Sequence, residues 1–455
     1  MTVAIRMHRR AAALALISPK WLHYASLVVA LGWLLICARG QWFFFDEWDF
    51  LKLSSTDFLT PHLGHWSTIP MLFTALLRQT VGLDSYWPYI VPTLLIHLGI
   101  AHALWRVMLR IRVSPWIATG LALVVALFGA GAENILWAFQ FGFLGAVLLG
   151  IVAVLLVDRI SRESYRRLFP GIAVVTVASL LFSGTALPLL VAVGIVALRR
   201  VGWWRAGLVL VPAVVVYGSW YVYAKLNPVY FMPPGMQVDS VTRVLIDVPA
   251  FALRMIVGGF EGLTPVPFLG VLLAVALAIY AVAFARRLWT GSPAALGLAA
   301  AAVAFALVTA ASRIDFSADT SSSSRYIYLT TVLLLPLVGL LATWLAGTRR
   351  WLEIMIVVAL LLTAVYGAFV MRAAGQQQAQ TEQSTRDIVY ATVALLDDPP
   401  RDLNLSAYPD PAFAPSLTGF DIQALVDSGA LSPRPYSARA YDIALDRLTS
   451  PNGNP

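Results

Sequence analysis

The sequence predicts an all-α protein that crosses a membrane about eleven times, and three observations carry that prediction. Hydrophobic residues make up 59% of the 455 positions and charged residues 12%, a balance that belongs to an integral membrane protein and not to a soluble enzyme with one anchor. Apolar runs of roughly 17–25 residues, long enough to cross a bilayer as helices, recur along most of the chain. Lys and Arg collect in alternate connections, as cytoplasmic loops do.

The eleven runs are 21–38, 86–109, 113–131, 139–157, 170–183, 186–198, 206–224, 266–285, 293–311, 326–346 and 351–371. The fifth and sixth are short and separated only by Ser183-Gly184-Thr185. They read either as two spans or as a re-entrant or broken pair buried in protein, and both readings return the chain to the same side. Arg6, Arg9, Arg10 and Lys20 precede the first run. Arg106/Arg110/Arg112, Arg159/Arg162/Arg166/Arg167, Arg199/Arg200/Arg205, Arg286/Arg287 and Arg349/Arg350 fill every second loop after it. The N-terminus is therefore expected inside and the C-terminus outside. Of the fourteen Asp and Glu before residue 372, only Asp158, Glu163 and Glu353 fall on the inner side. Carboxylates gather on the outer face.

The net charge of +8 is spread over short loops instead of one stripe, so it speaks for orientation and contact with anionic lipid, not for nucleic-acid binding. The single cysteine, Cys37, excludes an intrachain disulfide. No small-residue cleavage site follows the first run, which reads as an uncleaved span.

Two outer segments are long. In 39–85, Ile69, Leu72, Phe73, Leu76 and Leu77 recur at helical spacing, which predicts an interfacial amphipathic helix. In 225–265, Pro228 and Pro233-Pro234-Gly235 precede a helix-like stretch from Val241 to Phe260. Its Arg243, Asp247, Arg254 and Glu261 argue against a plain span. From Arg372 the composition changes: the last 84 residues carry ten acids against six arginines. The chain thus divides into a membrane domain, 1–371, and a small outer region, 372–455, with an amphipathic helix near its start and a Pro-punctuated end.

Trp42-Phe43-Phe44-Phe45-Asp46-Glu47-Trp48-Asp49-Phe50 sets three carboxylates among aromatic rings directly after the first span. The rings suit a bilayer interface, whereas ionisable groups at that depth are costly unless used or paired. Asp46 is the leading candidate for a general base, because partial desolvation beside another acid raises a carboxyl pKa towards the useful range. The plainer reading is that these acids cap a helix or pair with Arg39 and Lys52. His62 and His65, three apart, could face one ligand on a helix. They could hold a metal only if Asp46 or Glu47 folds back to join them, and hydrogen bonding to a phosphate or sugar is the alternative. Glu133, Asn134, Gln140, Lys225, Arg243, Arg254, Arg313, Asp315, Arg325 and Tyr326 lie at the same membrane level. Arg313 and Arg325 suit a lipid phosphate because a guanidinium donates two parallel hydrogen bonds.

A many-spanning topology, a long first outer loop opening with an acidic pair, and Ser323-Ser324-Arg325-Tyr326 at the head of a later span together resemble the GT-C superfamily of integral membrane glycosyltransferases. The resemblance covers the whole membrane part. It implies transfer of a sugar from a polyprenyl-phosphate carrier to a cell-envelope glycan or lipid acceptor, on the outer face of a bacterial plasma membrane. It also implies Asp46, with Glu47, as the catalytic carboxylate. Asp49, His62, His65, Glu133, Asn134, Gln140, Lys225, Arg313, Arg325 and Tyr326 are then the substrate-binding candidates. A divalent cation is compatible with the acids but no metal ligand is assigned. The chain departs from the family pattern in its Asp-Glu-Trp-Asp sequence and its small tail. The competing function is a transporter or flippase of a lipid-linked sugar. Transporters place charged pairs deep within spans, whereas these charges sit at span ends. A non-catalytic lipid-binding scaffold ranks third.

Overall fold

The computed structural model describes residues 18–52, 57–227, 243–313, 318–400 and 402–450. Among these described residues the protein is built almost wholly of helices, ten of them long and apolar enough to cross a membrane, with a bent pair supplying an eleventh.

The first span, α1 (Pro19–Cys37), leads into the first loop, which holds a short helix α2 (Glu47–Leu51), a hairpin of β1 (Pro61–His62) and β2 (His65–Trp66), and α3 (Thr68–Val81). Spans α4 (Trp87–Arg110) and α5 (Pro115–Ala126) follow. The latter continues through short helical turns into α6 (Ala132–Leu136). Gly129 makes this break possible: a Cβ there would lie 2.3 Å from the Gly367 carbonyl, and one on Gly367 would lie 2.2 Å from the Leu127 carbonyl. Only paired glycines let the two backbones approach so closely.

Next come α7 (Phe141–Val157), α8 (Tyr165–Phe182), α9 (Leu187–Val201) and α10 (Trp203–Leu226). The 170–198 ambiguity resolves into two spans. Helix α8 starts five residues before the apolar run, and the 3-10 turn at Gly184–Ala186 extends α9, so each reaches 18 residues, enough to cross. Beyond α10, α11 (Val248–Glu261) occupies the second long segment, where a helix is expected. Helices α12 (Leu269–Ala283) and α13 (Ala285–Gly291) then form the bent pair, meeting at 74°. The bundle closes with α14 (Pro293–Arg313), α15 (Ser324–Ala346) and α16 (Arg350–Asp397), and the tail adds α17 (Gly419–Asp427) and α18 (Ala438–Thr449).

Burial sorts these helices. The most apolar window of α15 is 78% buried, against 17–22% for α1, α8, α10 and α16. The former is the axis of the core and the latter face lipid. In that core the His97 ring nitrogen lies 2.9 Å from the Tyr328 hydroxyl, a polar tie between α4 and α15 of the kind that fixes helix register in a membrane. Helix α16 passes residue 372 without a break and runs far beyond the bilayer. Its outer part packs on α18 through Ile388, Ala391 and Leu395. The tail is therefore held to the membrane part by a continuous helix instead of a separate one.

Candidate functional site

The first loop is fastened by three hydrogen bonds, two to α16 and one to the tail. Trp42 N–H donates to Glu382 on α16 (2.8 Å), the Gln383 amide donates to the Gly40 carbonyl (2.9 Å), and Phe45 N–H donates to the Phe413 carbonyl in the tail (2.6 Å). Trp42, Phe43 and Trp48 are at most 3% exposed. Phe43 packs edge-on against Tyr86 and Tyr89 at the head of α4. These rings are not a lipid-facing belt, as their interfacial position suggests, but the packing core that holds the acidic turn in place.

That packing sends the three acids in different directions. Glu47 turns inward and is buried: Phe44 N–H donates to one oxygen (3.0 Å) and Tyr86 O–H to the other (2.9 Å). The Tyr86 oxygen in turn accepts from Ala138 N–H (2.8 Å). Burial pushes the Glu47 carboxyl up to about 8, against the opposing pull of these hydrogen bonds. Glu47 thus joins the loop to the starts of two spans and does not line the cleft that Asp46 faces.

Asp46 precedes α2 but does not cap it. Among the described residues its carboxyl makes no hydrogen bond or ion pair. Burial raises its pKa, and Asp49 adds to the rise, while His62, Arg325 and Arg313 oppose it. Asp49 pairs with Lys52 (3.4 Å) and lies 3.8 Å from His62 Nδ1. The plain reading of the acids as helix-cap or lysine partners therefore describes Asp49 and not Asp46.

His62 and His65 do not share a helix. They face each other across a two-residue hairpin whose central residues, Leu63 (φ 47°) and Gly64 (φ 83°), both have positive φ, as a type I′ turn demands. Trp66 stacks on Trp220 of α10 (5.1 Å, 2°), whose indole N–H donates to the Leu59 carbonyl (2.9 Å), anchoring the hairpin. Both imidazoles are held neutral by burial, His65 down to about 4.

Asp46, His62, His65, Gln140, Arg313, Arg325 and Tyr326 line one cleft with a cavity volume of about 90 Å³, with Ser183 and Phe182 from the α8–α9 break also on its wall. Arg325 sits 5.5 Å over the Tyr326 ring and its Nε is 3.6 Å from Glu133. Asn134, fully buried behind the wall, donates to the Gln140 side chain (3.4 Å). Of the residues expected at this level, Asp49, Glu133 and Asn134 contact cleft residues without lining the cleft, whereas Lys225 stands apart. It is exposed at the end of α10, over the Tyr221 ring, and does not line the cleft. Arg254 is likewise exposed on α11, whereas Asp315 and the Arg243 side chain lie outside the described residues. Ser183 and Phe182 are the residues that sequence reasoning missed, and their only signal was the Ser-Gly-Thr interruption.

Asp46, Asp49 and His62 each offer one ligand atom, all within 4.8 Å of one another. His62 Nε2 is buried with no hydrogen-bond partner among the described residues. Two carboxylates and an imidazole are a donor set suited to a divalent cation such as Mn²⁺, Mg²⁺ or Zn²⁺.

No protein-family model and no curated protein sequence matches this chain. Its fold is shared with the crystal structure of ArnT from Cupriavidus metallidurans bound to undecaprenyl phosphate. The two superpose with a TM-score of 0.52 over 96% of this chain and 89% of that one, at 14% identity. The overall fold is thus that of this ArnT structure, in keeping with the many-spanning helical topology expected from the sequence.

Proposed function

We propose that the protein is a glycosyltransferase that moves a sugar from a polyprenyl-phosphate carrier to a glycan or lipid acceptor, with Asp46 as general base. The observation that carries this reading is one cleft holding two arginines and a partly desolvated carboxyl that is unpaired among the described residues. The ArnT-like fold supports a polyprenyl-phosphate donor, and the distribution of Lys and Arg supports an active site on the extracytoplasmic side of the plasma membrane.

In this mechanism Arg313 and Arg325 bind the donor phosphate through charge-assisted hydrogen bonds. Asp46 takes the proton from the acceptor hydroxyl as its oxygen bonds to the anomeric carbon. The carbon–oxygen bond to the phosphate breaks with its electron pair leaving on the polyprenyl phosphate, whose growing charge the arginines stabilise. A single displacement inverts the anomeric configuration. Neutral His62 and His65, with Gln140, are placed to hydrogen-bond sugar hydroxyls.

The donor set of Asp46, Asp49 and His62 favours a second reading, in which these residues hold a divalent cation that supplies positive charge beside the leaving phosphate. Asp46 would then be a ligand and not a base.

The deciding experiment follows transfer from labelled polyprenyl-phosphate sugars to envelope glycan or lipid extract by purified protein, native and Asp46→Asn in parallel. Transfer by the native protein alone supports the assignment. No transfer by either, with movement of the carrier lipid across reconstituted vesicles, would replace it with the transporter reading.

A further inference from the structure

At the other end of the bundle lies a larger bay that the proposed chemistry does not use. Its cavity volume is about 760 Å³, and it is walled by the ends of α4, α9 and α15, the start of α14 and the bent pair α12–α13. Helix α4 runs from Tyr86, the Glu47 partner, to Arg110 in the bay. Its 24 residues separate the two sites by roughly 35 Å. The 74° bend between α12 and α13 opens the bay, because it swings Arg287 and Thr290 aside from the line of the span and leaves Tyr280 and Trp344 on the wall.

The lining is basic. Arg110, Arg112, Arg200 and Arg287 face a single acid, Asp158. Asp158 is 3% exposed and anchors two of them: Arg200 binds one oxygen (2.6 Å) and Arg110 binds the other and the Asp158 carbonyl. Those two guanidiniums are therefore ordered by a buried carboxylate while remaining more than one-third exposed. Arg112 and Arg287 make no ion pair among the described residues, so the bay carries three uncompensated positive charges. Arg112 also adopts a left-handed backbone (φ 68°) that an arginine rarely takes, and residues held in such conformations cluster at binding sites. Trp344 of the lining is 50% exposed, and Ile279, Val282 and Leu345 on α12 and α15 are 54–80% exposed, an apolar surface for acyl chains with an aromatic ring at headgroup depth.

We propose that this bay is a binding site for the phosphate headgroup of an anionic phospholipid from the leaflet on that side. Arg112 and Arg287 contact the phosphate, Arg110 and Arg200 are preset by Asp158, and the acyl chains lie along α12 and α15. Spread basic loops alone would attract anionic lipid diffusely. A walled, prearranged cluster retains it at one place.

The test is native mass spectrometry of full-length protein released from nanodiscs containing phosphatidylglycerol and phosphatidylcholine, comparing wild type, R112Q/R287Q and R349Q. Arg349 is a basic residue of the same end that does not line the bay. The wild type should retain one phosphatidylglycerol through detergent. R112Q/R287Q should retain it on the order of thirtyfold less well, the loss of two interfacial charges, while R349Q matches wild type. Each variant's melting temperature in lipid-free detergent checks folding, and the single variant R287Q is measured if the double variant melts early. Equal retention in all three proteins, or equal loss in R349Q, would overturn the site. Displacement of the retained lipid by equimolar undecaprenyl phosphate, or by millimolar inorganic phosphate, would overturn the phospholipid assignment in favour of the carrier or of a free anion.

Discussion

Both ends of this bundle bring arginines and an aspartate together where spans finish, yet the two aspartates are held in opposite ways. Asp158 is 3% exposed with Arg200 at 2.6 Å and Arg110 on its other oxygen, so its charge is matched and fixed. Asp46 feels Arg325 and Arg313 only through space and makes no hydrogen bond among the described residues. A buried acid with partners is an anchor for cations. A partly buried acid left without them is available to take a proton or a cation. The difference separates a structural carboxylate from a chemical one more sharply than burial does, and substitution can break it.

The largest effect is expected at the two aspartates. Asp46→Asn should lower the rate of sugar transfer by about 10²–10⁴, the usual contribution of a general base, with an unchanged melting temperature. Asp158→Asn should do the reverse, lowering the melting temperature because two guanidiniums lose their partner, while transfer per folded molecule stays within a factor of about two. Parallel activity and thermal-melt measurements read both. Loss of stability in Asp46→Asn, or loss of transfer in folded Asp158→Asn, would erase the distinction.

A smaller change is expected at the cleft arginines. Arg325→Ala should raise the KM for the polyprenyl-phosphate donor about tenfold, with a lesser drop in kcat. An unchanged donor KM would remove Arg325 from the phosphate site and leave it as a partner for Glu133. Chelation by EDTA then separates the two roles of Asp46. If it is a base, transfer should stay within about twofold. A collapse restored by added Mn²⁺, and absent in Asp49→Asn, would move Asp46 into the ligand set with Asp49 and His62.

The span count was legible because apolar length and the alternation of arginines are direct consequences of the bilayer. The bend between α12 and α13 was not, since the run through 266–285 is uniformly apolar and nothing in it marks where the helix turns. At the site, Asp46, Arg313 and Arg325 were legible as charges at one depth. The hairpin that carries His62 and His65 was not. Its turn places Leu63 at positive φ, a conformation that leucine does not favour, so His-Leu-Gly-His reads from sequence as a helical spacing. The sorting of Asp46 from Glu47 was equally hidden, because adjacent residues of one motif are told apart only by the packing of Trp42, Phe43 and Tyr86 around them.

Glu47 offers the subtlest test of that sorting. Its folded pKa of about 8 stands above the ordinary carboxylate value because burial favours the neutral acid. The folded state therefore holds a proton that the unfolded chain releases, and the resulting stability is complete below about pH 4.5 and declines as pH rises towards 8. Glu47→Gln keeps a neutral, hydrogen-bonding side chain of the same size, so its melting temperature should change little at pH 5 and fall less steeply than wild type between pH 5 and 9. Glu47→Ala leaves Tyr86 O–H and Phe44 N–H without acceptors and should cost about 2 kcal/mol at pH 5, and less as pH rises and the wild type loses its own Glu47 contribution. Equal pH slopes for wild type and Glu47→Gln would mean that Glu47 is ionised in the folded protein. It would then join Asp46 as a second charged carboxylate behind the cleft, and the division of labour between the two adjacent acids would fail.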